Sequence, residues 1–329
     1  MSKPILLEVE QLKVTFLPDI QAVRGIDLKI YKQEIVALVG ESGCGKSVTA
    51  HSLMQLIKAG PGVEQSGSIK YQGTELLGVP EKDLNLFRGK EIGMVFQEPL
   101  TALNPLMAIG RQIAEPMVYH LGLTWPQAQA RAIDLLRRVQ IDQPERRARQ
   151  YPHQLSGGQR QRVVIAMAIA CAPRLLIADE PTTALDVTVQ DQILALLQEL
   201  QRENRLSLLL ITHNLGVVAQ LCDRVYVMYA GRIVEQGETK RVLGHPQHPY
   251  TAGLIASYPE LGAVGEELPV IKGSVPYPGQ ISPGCAFHPR CPQGKQRCLE
   301  QLPPLERDQA CFYPLGGLTK QPGSAKSAN

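Results

Sequence analysis

The chain contains a glycine-rich run whose residue types suit phosphate binding, Gly40-Glu41-Ser42-Gly43-Cys44-Gly45-Lys46-Ser47. In a G-x-x-x-x-G-K-[ST] run, the glycines allow successive backbone N–H groups to curl around a triphosphate. Lys46 then reaches the terminal phosphates, and the Ser47 hydroxyl binds Mg²⁺. These eight residues, with Val48 after them, are the candidate contacts to a nucleotide and its metal ion.

A predicted strand and a predicted helix flank this run. Residues 35–39 are apolar and largely β-branched, as in a buried strand, and the apolar residues from Val48 onward have helical spacing. A helix that begins directly after a glycine-rich loop aims its N-terminal dipole at bound phosphates. This context favours a nucleotide site over the alternative, a chance glycine-rich turn.

Two neighbouring acids, Asp179 and Glu180, end a second apolar stretch that begins at Leu175. In nucleotide hydrolases with a phosphate loop, a carboxylate at this place holds Mg²⁺, which predicts that role for Asp179. Glu180 is then placed to orient or deprotonate the attacking water. The alternative is a solvated acidic turn, because Glu180-Pro181 is good turn sequence. The upstream phosphate loop favours the catalytic interpretation.

A second predicted anion site lies between the loop and the acids, in Leu155-Ser156-Gly157-Gly158-Gln159-Arg160-Gln161-Arg162. Ser156 can cap a helix whose glycines expose backbone N–H groups. With this segment present, the chain resembles the ATP-binding-cassette (ABC) ATPases, in which it binds the terminal phosphate of ATP held by the other subunit. The resemblance implies that one chain cannot complete an active site and needs a second ATPase, identical or homologous.

The same resemblance implies roles for residues elsewhere. Phe16 matches the aromatic residue that stacks on adenine, although Tyr is more usual. Gln97 matches the glutamine that touches Mg²⁺ and the attacking water. The segment Ala184-Leu185-Asp186 matches the loop that crosses the dimer interface, and His213 matches the switch histidine near the γ-phosphate. Asn214 replaces the usual Asp, and we expect it to weaken the local charge without removing the His213 contact. The alternatives are a core aromatic, a polar strand end and a turn histidine. The implied catalytic residues are Lys46, Gln97, Glu180 and His213, and the implied Mg²⁺ ligands are Ser47, Gln97 and Asp179.

Composition narrows the class of protein. The 329 residues suggest about two domains, and 44% hydrophobic content supplies a core for a large α/β domain. A net charge of +3 is too small to argue for nucleic acid. We see no apolar run long enough to span a membrane and no signal-peptide pattern at the N-terminus. We therefore expect an intracellular enzyme that reaches a membrane only by docking to another chain.

The order of the predicted elements gives an α/β fold with two domains. Residues 1–244 form the phosphate-loop ABC ATPase domain, in which a parallel sheet is interrupted by a helical subdomain at about 98–165. In the family, that subdomain receives the coupling helix of a membrane permease. Residues 245–329 form a small, loop-rich C-terminal domain that is rich in proline.

The C-terminal domain carries Cys285, Cys291, Cys298 and Cys311. A short, loop-rich domain buries little apolar area and needs additional stabilisation, such as a disulfide or a bound metal. A cytosolic location argues against disulfides. The spacing lacks the C-x₂-C pairs of common zinc sites, so the residues alone leave zinc and an iron–sulfur cluster equally open, with free thiols as the remaining alternative. Three further cysteines, Cys44, Cys171 and Cys222, are predicted to be buried, and Cys44, at a helix N-terminus, is a candidate reactive thiol.

The His248-Pro249-Tyr250-Thr251 segment and the cysteine-bearing tail resemble the ATPase subunits of oligopeptide, dipeptide and nickel importers, several of which carry a [4Fe–4S] cluster. The resemblance implies such a cluster on the four cysteines, with Zn²⁺ as the alternative. It also implies a peripheral subunit at the cytoplasmic face of the inner membrane, beneath two permease subunits and a solute-binding protein, that uses ATP to import a peptide or nickel. The alternative function is a regulatory or metal-sensing ABC protein that is not coupled to transport.

Overall fold

The structure is a computed structural model that describes residues 3–183, 185–258, 271–281 and 283–316. The strands are β1 Ile5–Phe16, β2 Ile20–Tyr31, β3 Ile35–Val39, β4 Val63–Tyr71, β5 Thr74–Glu75, β6 Ile92–Val95, β7 Leu175–Asp179, β8 Ser207–Thr212, β9 Arg224–Tyr229 and β10 Arg232–Glu238. The helices are α1 Lys46–Leu53, α2 Glu81–Leu84, α3 Pro99–Ala102, α4 Ile109–Leu121, α5 Trp125–Arg138, α6 Pro144–Arg147, α7 Gly157–Ala168, α8 Val187–Asn204, α9 Leu215–Leu221, α10 Thr239–Gly244, α11 Pro249–Ala256 and α12 Gln296–Glu300.

The strands form two sheets. An antiparallel sheet has the order β2-β1-β4-β5, and a six-stranded sheet has the order β10-β9-β3-β8-β7-β6. The neighbours from β9 to β6 are parallel, and only β10 runs antiparallel, beside β9. All residues of β3, β6, β7 and β8 are buried, as expected for parallel strands that are covered on both faces. The predicted α/β fold with a parallel sheet is therefore confirmed.

The register of this six-stranded sheet brings the predicted site residues to one edge. The aligned pairs near the strand ends are Val39 with Thr212, Asp179 with Ile211, and Val95 with Ala178. The carboxyl ends of β3, β8, β7 and β6 therefore lie side by side. Ligands of open α/β sheets bind in the crevice outside these strand ends.

Alternate residues of β3 face two hydrophobic cores. Ala37 and Val39 belong to the larger core, which includes the apolar faces of α4, α5, α7 and α8. Val36 and Leu38 belong to the second core, which joins α1 to the antiparallel sheet. This period-2 alternation places the phosphate loop between the two cores, so its position is fixed from both sides.

The region between β6 and β7 is helical, as the apolar spacing predicts. Helix α5 begins at a capping box formed by Thr124 and Gln127 and buries Ala128, Ala132 and Leu136. The domain bounds 1–244, 98–165 and 245–329 stay predictions. Within the described ranges, no helix has the length and apolarity needed to cross a bilayer.

The C-terminal region packs on the ATPase body. Buried Glu235 of β10 accepts the backbone N–H groups of Gln247 at 2.8 Å and His248 at 2.9 Å. Phe287 lies in the larger core, with Cys285 and Cys291 packed against it. The loop-rich tail is therefore held by a buried carboxylate and by shared apolar packing.

Candidate functional site

The phosphate loop joins β3 to α1 and requires glycine at its two ends. A Cβ on Gly40 would stand 2.2 Å from the Met228 carbonyl oxygen, and one on Gly45 would stand 2.5 Å from the Ala22 carbonyl oxygen. Gly45 also has a φ of +107°, which L side chains rarely adopt. Ser42 and Gly43, by contrast, are exposed at the tip of the loop. The loop is thus seated against β9 and β2, with its tip free to meet a ligand.

The Lys46 side chain turns back over this loop. Its Nζ donates to the carbonyl oxygens of Gly40 at 2.9 Å and Glu41 at 3.0 Å, and it lies 4.0 Å from Glu180 Oε1. The side chain is almost fully buried. A buried ammonium group held by carbonyl dipoles is a strong attractor for phosphate oxygens.

Two predicted Mg²⁺ ligands are in direct contact: Ser47, at the start of α1, and Asp179, at the end of β7. The Ser47 hydroxyl donates to Asp179 Oδ1 at 3.1 Å. Burial raises the pKa of the Asp179 carboxyl, and the Ser47 hydrogen bond only partly opposes that rise. The pair supplies two kinds of hard oxygen donor, a hydroxyl and a buried carboxylate. Because the carboxylate lacks a full counter-charge, this arrangement fits a small divalent cation.

Glu180 lies at the centre of the predicted catalytic group. Its Oε2 accepts from Gln97 Nε2 at 3.3 Å and from the Thr183 hydroxyl at 2.8 Å, and lies 3.6 Å from His213 Nδ1. Only 12% of its side chain is exposed. The structure therefore brings Lys46, Gln97, Glu180 and His213 together, as the sequence predicts.

His213 follows β8 and its side chain is 62% exposed. Asn214, where Asp is usual, caps α9 by accepting the Val217 N–H at 2.9 Å. The contact of His213 with Glu180 is present beside Asn214, and the expected contact of His213 with the γ-phosphate stays a prediction.

Ser156 to Gln159 form the start of α7 and bond to one another. The Gln159 N–H donates to Ser156 Oγ at 3.3 Å, and the Ser156 N–H donates to Gln159 Oε1 at 3.1 Å. Gly158 lies where a Cβ would approach Val189 of α8 to 2.7 Å, while Gly157 borders Leu185. In the described part of the chain, no hydrogen bond or ion pair joins residues 156–159 to Lys46, Ser47, Asp179 or Glu180.

Asp186 caps α8 by accepting the Val189 N–H at 2.9 Å. Because Gly158 also meets Val189, the start of α7 and the start of α8 share one surface. Ala184, in the same predicted interface loop, lies outside the described residues.

Phe16, Cys44 and Val48 pack on the second hydrophobic core. Phe16 ends β1 and, like Val48, is half-buried there. Cys44 is only 1% exposed, and burial raises the pKa of its thiol. Because the thiolate is the reactive form, this burial contradicts the expectation that Cys44 is a reactive thiol. Cys44, Cys171 and Cys222 are all buried, as predicted.

The four C-terminal cysteines line one small cavity, together with His248, Phe287 and Tyr313. Backbone N–H groups face their sulfur atoms; for example, the Tyr313 N–H donates to Cys311 Sγ at 3.4 Å. Across the described ranges, no set of three or more His, Cys, Asp or Glu side chains is close enough to hold a metal ion. The cysteines are thus brought together, but not into a closed ligand set.

The sequence motifs assign no role at the nucleotide site to three residues that lie near it. Thr183 donates to Glu180, while Tyr250 and Arg290 contact Glu41 of the phosphate loop. Thr183 could have been suspected from its position three residues after Glu180. Tyr250 and Arg290 lie more than 200 residues from Glu41, and no periodicity or spacing connects them.

Two family models match the chain. A model described as ABC transporter matches residues 23–183, and one described as oligopeptide/dipeptide transporter, C-terminal region, matches residues 234–298. The first range contains the phosphate loop, the Ser156 segment and the acid pair. The second contains three of the four tail cysteines.

Similar proteins match over most of the chain. An oligopeptide transport ATP-binding protein AppD of Bacillus subtilis is 48% identical over 91% of this chain and 92% of its own length. An OppD of Salmonella typhimurium with the same description is 45% identical over 94% of each chain. Among solved structures, the cassette MJ0796, described as dimeric and bound to ADP and Pi, superposes with a TM-score of 0.64 at 26% identity, over 71% of this chain and 99% of that one. The cbiO1 protein of Clostridium perfringens, part of an ABC transporter complex, gives a TM-score of 0.63 at 29% identity, over 74% of this chain and 92% of that one. With nearly half of its residues shared along almost its whole length, the chain belongs to the ABC transporter family of oligopeptide transport ATP-binding proteins.

Proposed function

We propose that this chain is the ATP-hydrolysing subunit of a peptide importer. One observation carries the proposal: Lys46, Gln97, Thr183 and His213 converge on Glu180, directly beside the Ser47–Asp179 pair. The relatives whose names specify oligopeptide transport are similar over more than nine-tenths of the chain, including the tail. The regulatory alternative has no such support and is not favoured.

The residues at the phosphate loop would bind and neutralise the triphosphate. Lys46 would exchange its two carbonyl partners for phosphate oxygens, and the N–H groups of residues 40–47 would line the anion. Ser47, Asp179 and Gln97 would hold Mg²⁺, which supplies charge neutralisation between phosphate groups. Phe16 would stack on the adenine.

Glu180 would act on the attacking water. Its carboxylate is fixed by Thr183 and Gln97, so it can accept a proton or orient the water without rearranging. His213 lies on the solvent side of the carboxylate and would contact the γ-phosphate. Catalysis of this kind depends on positioning and charge stabilisation rather than on a covalent intermediate.

A second ATPase subunit would complete each site. Ser156 to Gln159 are pre-organised as a helix start and, among the residues that the structure describes, make no bond to Lys46, Ser47, Asp179 or Glu180, so they would be available to the nucleotide of a partner. Asp186 and Leu185 lie next to that segment and would cross the interface. The description of the MJ0796 cassette as a dimer is consistent with this arrangement.

The helical region offers a surface for permease subunits. Leu106 is 88% exposed and Tyr119 is 70% exposed, both between β6 and β7. In the family that this chain resembles, the helical subdomain receives the permease, and these exposed apolar side chains would be available for that contact. Docking there would place the chain at the cytoplasmic face of the membrane, beneath two permease subunits, with a solute-binding protein acting through the permease.

We propose that the cysteine cavity binds a [4Fe–4S] cluster, with zinc as the alternative. A single zinc ion with Zn–S bonds of about 2.3 Å draws its four sulfurs to within about 3.8 Å of one another. In a cluster each cysteine binds a different iron, so the sulfurs stand further apart. The observation that supports a shared site is that Cys285, Cys291, Cys298 and Cys311 line one cavity, and the resemblance to importer ATPases is what favours the cluster.

The transport function is tested by uptake into cells that lack this chain. We expect the wild-type chain to restore uptake of a labelled tripeptide, Lys46→Ala to abolish it, and Lys82→Ala, an exposed lysine on α2, to leave it intact. Uptake of labelled nickel is measured in parallel. Restored nickel uptake without peptide uptake would overturn the peptide assignment.

The cluster is tested by anaerobic purification with iron, sulfide and zinc analysis. We expect about four iron and four sulfide per chain, lost together in Cys298→Ser and retained in Cys171→Ser. One zinc per chain, or no metal, would overturn the cluster while leaving the ATPase assignment in place.

A further inference from the structure

The C-terminal region forms an ion pair with the phosphate loop. Arg290 Nη1 donates to Glu41 Oε2 at 2.7 Å, and Nη2 donates to Glu41 Oε1 at 2.9 Å. The geometry is the two-point fork that guanidinium and carboxylate groups form best. Arg290 immediately precedes Cys291, whereas Glu41 is the second residue of the phosphate loop, so this ion pair spans 249 positions of sequence.

The backbone of Glu41 is held by the same region. The Glu41 N–H donates to the Tyr250 hydroxyl at 2.9 Å, and Tyr250 is fully buried in α11. Both the main chain and the side chain of this one loop residue are therefore bound by the C-terminal region.

The Arg290 side chain is only 5% exposed, and its surroundings keep it in place. Its guanidinium lies 5.8 Å from the Tyr229 ring centroid and 6.0 Å from that of Phe287, a range in which aromatic faces attract cations. Its Nε donates to the Lys272 carbonyl oxygen at 2.9 Å. An arginine fixed on so many sides cannot turn away from Glu41 without local unpacking.

Glu41 has two effects on a bound nucleotide. Its carbonyl oxygen holds Lys46 in the present arrangement, and its carboxylate brings a negative charge next to a loop that must bind a triphosphate. Pairing with Arg290 neutralises that charge and directs the carboxylate towards the C-terminal region, away from the loop tip.

We propose that Arg290 is a positioning residue for ATP: it links the cysteine-bearing region to the phosphate loop and raises nucleotide affinity by neutralising and fixing Glu41. The inference rests on the proposed function, since it assumes that the loop binds ATP. It assigns to the C-terminal region a direct effect on the nucleotide site within the same chain.

The test is a double-mutant cycle on the purified full-length chain, read as the dissociation constant of a fluorescent ATP analogue. We expect Arg290→Gln to weaken binding roughly tenfold, in the usual range for coupled sites. In the E41Q background the same change should weaken binding by less than about twofold, because there is no carboxylate left to neutralise. Arg297→Gln, a control in α12 whose guanidinium lies over the Phe312 ring, should have no effect.

The cycle separates a positioning role from a merely structural one. Arg290 also bonds the carbonyl oxygens of Ile271, Lys272 and Gly273, and those contacts are lost in either background. An equal loss of affinity in both backgrounds would overturn the proposal. If Arg290→Gln does not fold, the cycle is repeated with Arg290→Lys, which keeps the charge but not the fork, and we expect a smaller loss that E41Q again removes.

Failure of the proposed function gives a different result. If the wild-type chain does not bind the analogue, the ATPase assignment fails. If it binds and Arg290→Gln binds equally well, only the positioning role is wrong. In the assembled transporter, the change should raise KM for ATP and leave kcat nearly unaltered.

Discussion

The phosphate end of the central sheet and the cysteine-bearing C-terminal region hold their functional side chains by different means. At the sheet, parallel strands in register deliver Lys46, Gln97, Asp179 and His213 to one edge. In the tail, short turns are held by individual contacts, such as those of Glu235 with the N–H groups of residues 247 and 248. A site built on strand ends is fixed by the whole core, whereas a site built on turns depends on a few buried polar groups.

The largest effect should come from adding a methyl group where the phosphate loop meets the sheet. Gly45→Ala forces a Cβ to 2.5 Å from a backbone oxygen at a φ of +107°. We expect the free energy of ATP binding to weaken by more than about 3 kcal/mol, which lowers ATP affinity more than about a hundredfold. Equilibrium binding of a fluorescent ATP analogue measures it.

Gly43→Ala is the matched control. Gly43 also has a positive φ, of +78°, but a Cβ there would meet nothing within 4 Å. Backbone strain alone should weaken the free energy of ATP binding by about 1 kcal/mol. If both variants bind ATP equally poorly, close packing against the sheet is not what fixes the loop.

An intermediate effect is expected in the tail from Glu235→Ala. The change leaves the part-buried N–H of Gln247 and the buried N–H of His248 without their acceptor, which should lower the free energy of unfolding by about 3 kcal/mol. Hydrogen exchange should show faster opening of residues 245–258, with little change in β3 or β7. Glu238→Ala, at an exposed position on the same strand, is the control. Faster exchange throughout the sheet would show that the two regions do not differ as described.

The smallest effect is a pH dependence that is confined to the tail. Burial lowers the pKa of His248 from 6.5 to about 4. In acid the unfolded chain therefore binds a proton that the folded chain does not, so the stabilisation present above pH 6.5 is lost as the pH falls towards 4. Between pH 7 and pH 5 the loss is about 2 kcal/mol.

Urea unfolding of the wild-type chain and His248→Gln at the two pH values measures this loss. The variant should be less dependent on pH, and His153→Gln, at an exposed site, should behave as wild type. Equal pH dependence in all three proteins would contradict the assigned role of His248.

The same contrast explains what the sequence could predict. The apolar runs of β3, β6, β7 and β8 lead into the phosphate loop, Gln97, the Asp179–Glu180 pair and His213, so a parallel sheet brings Ser47 near Asp179 and Gln97 near Glu180. The loop-rich composition of the tail predicts that the four cysteines share a site, and they line one cavity; the [4Fe–4S] cluster on them is implied only by family resemblance. The burial of Cys44 agrees with the prediction, but its place at a helix start also suggested a reactive thiol, because helix-start geometry says nothing about packing against β9.

The contacts of Glu41 could not be predicted at all. Its position in the loop predicts a phosphate contact through the backbone, but the direction of its carboxylate depends on Arg290 and Tyr250 in a separate, loop-rich region. No periodicity or motif in the sequence indicates that the C-terminal turns contact the loop that follows β3. Only the folded chain shows that the two regions meet at this residue.

The central claim, that Glu180 acts on the attacking water at the strand end, is tested most directly by Glu180→Gln. In the assembled transporter, we predict that ATP hydrolysis falls by at least a factor of about 100, the usual contribution of a general base. ATP affinity should stay within about threefold of wild type, since the carboxylate is not a phosphate ligand. Glu199→Gln, on the exposed face of α8, should hydrolyse normally. Near-normal hydrolysis by Glu180→Gln would contradict the account.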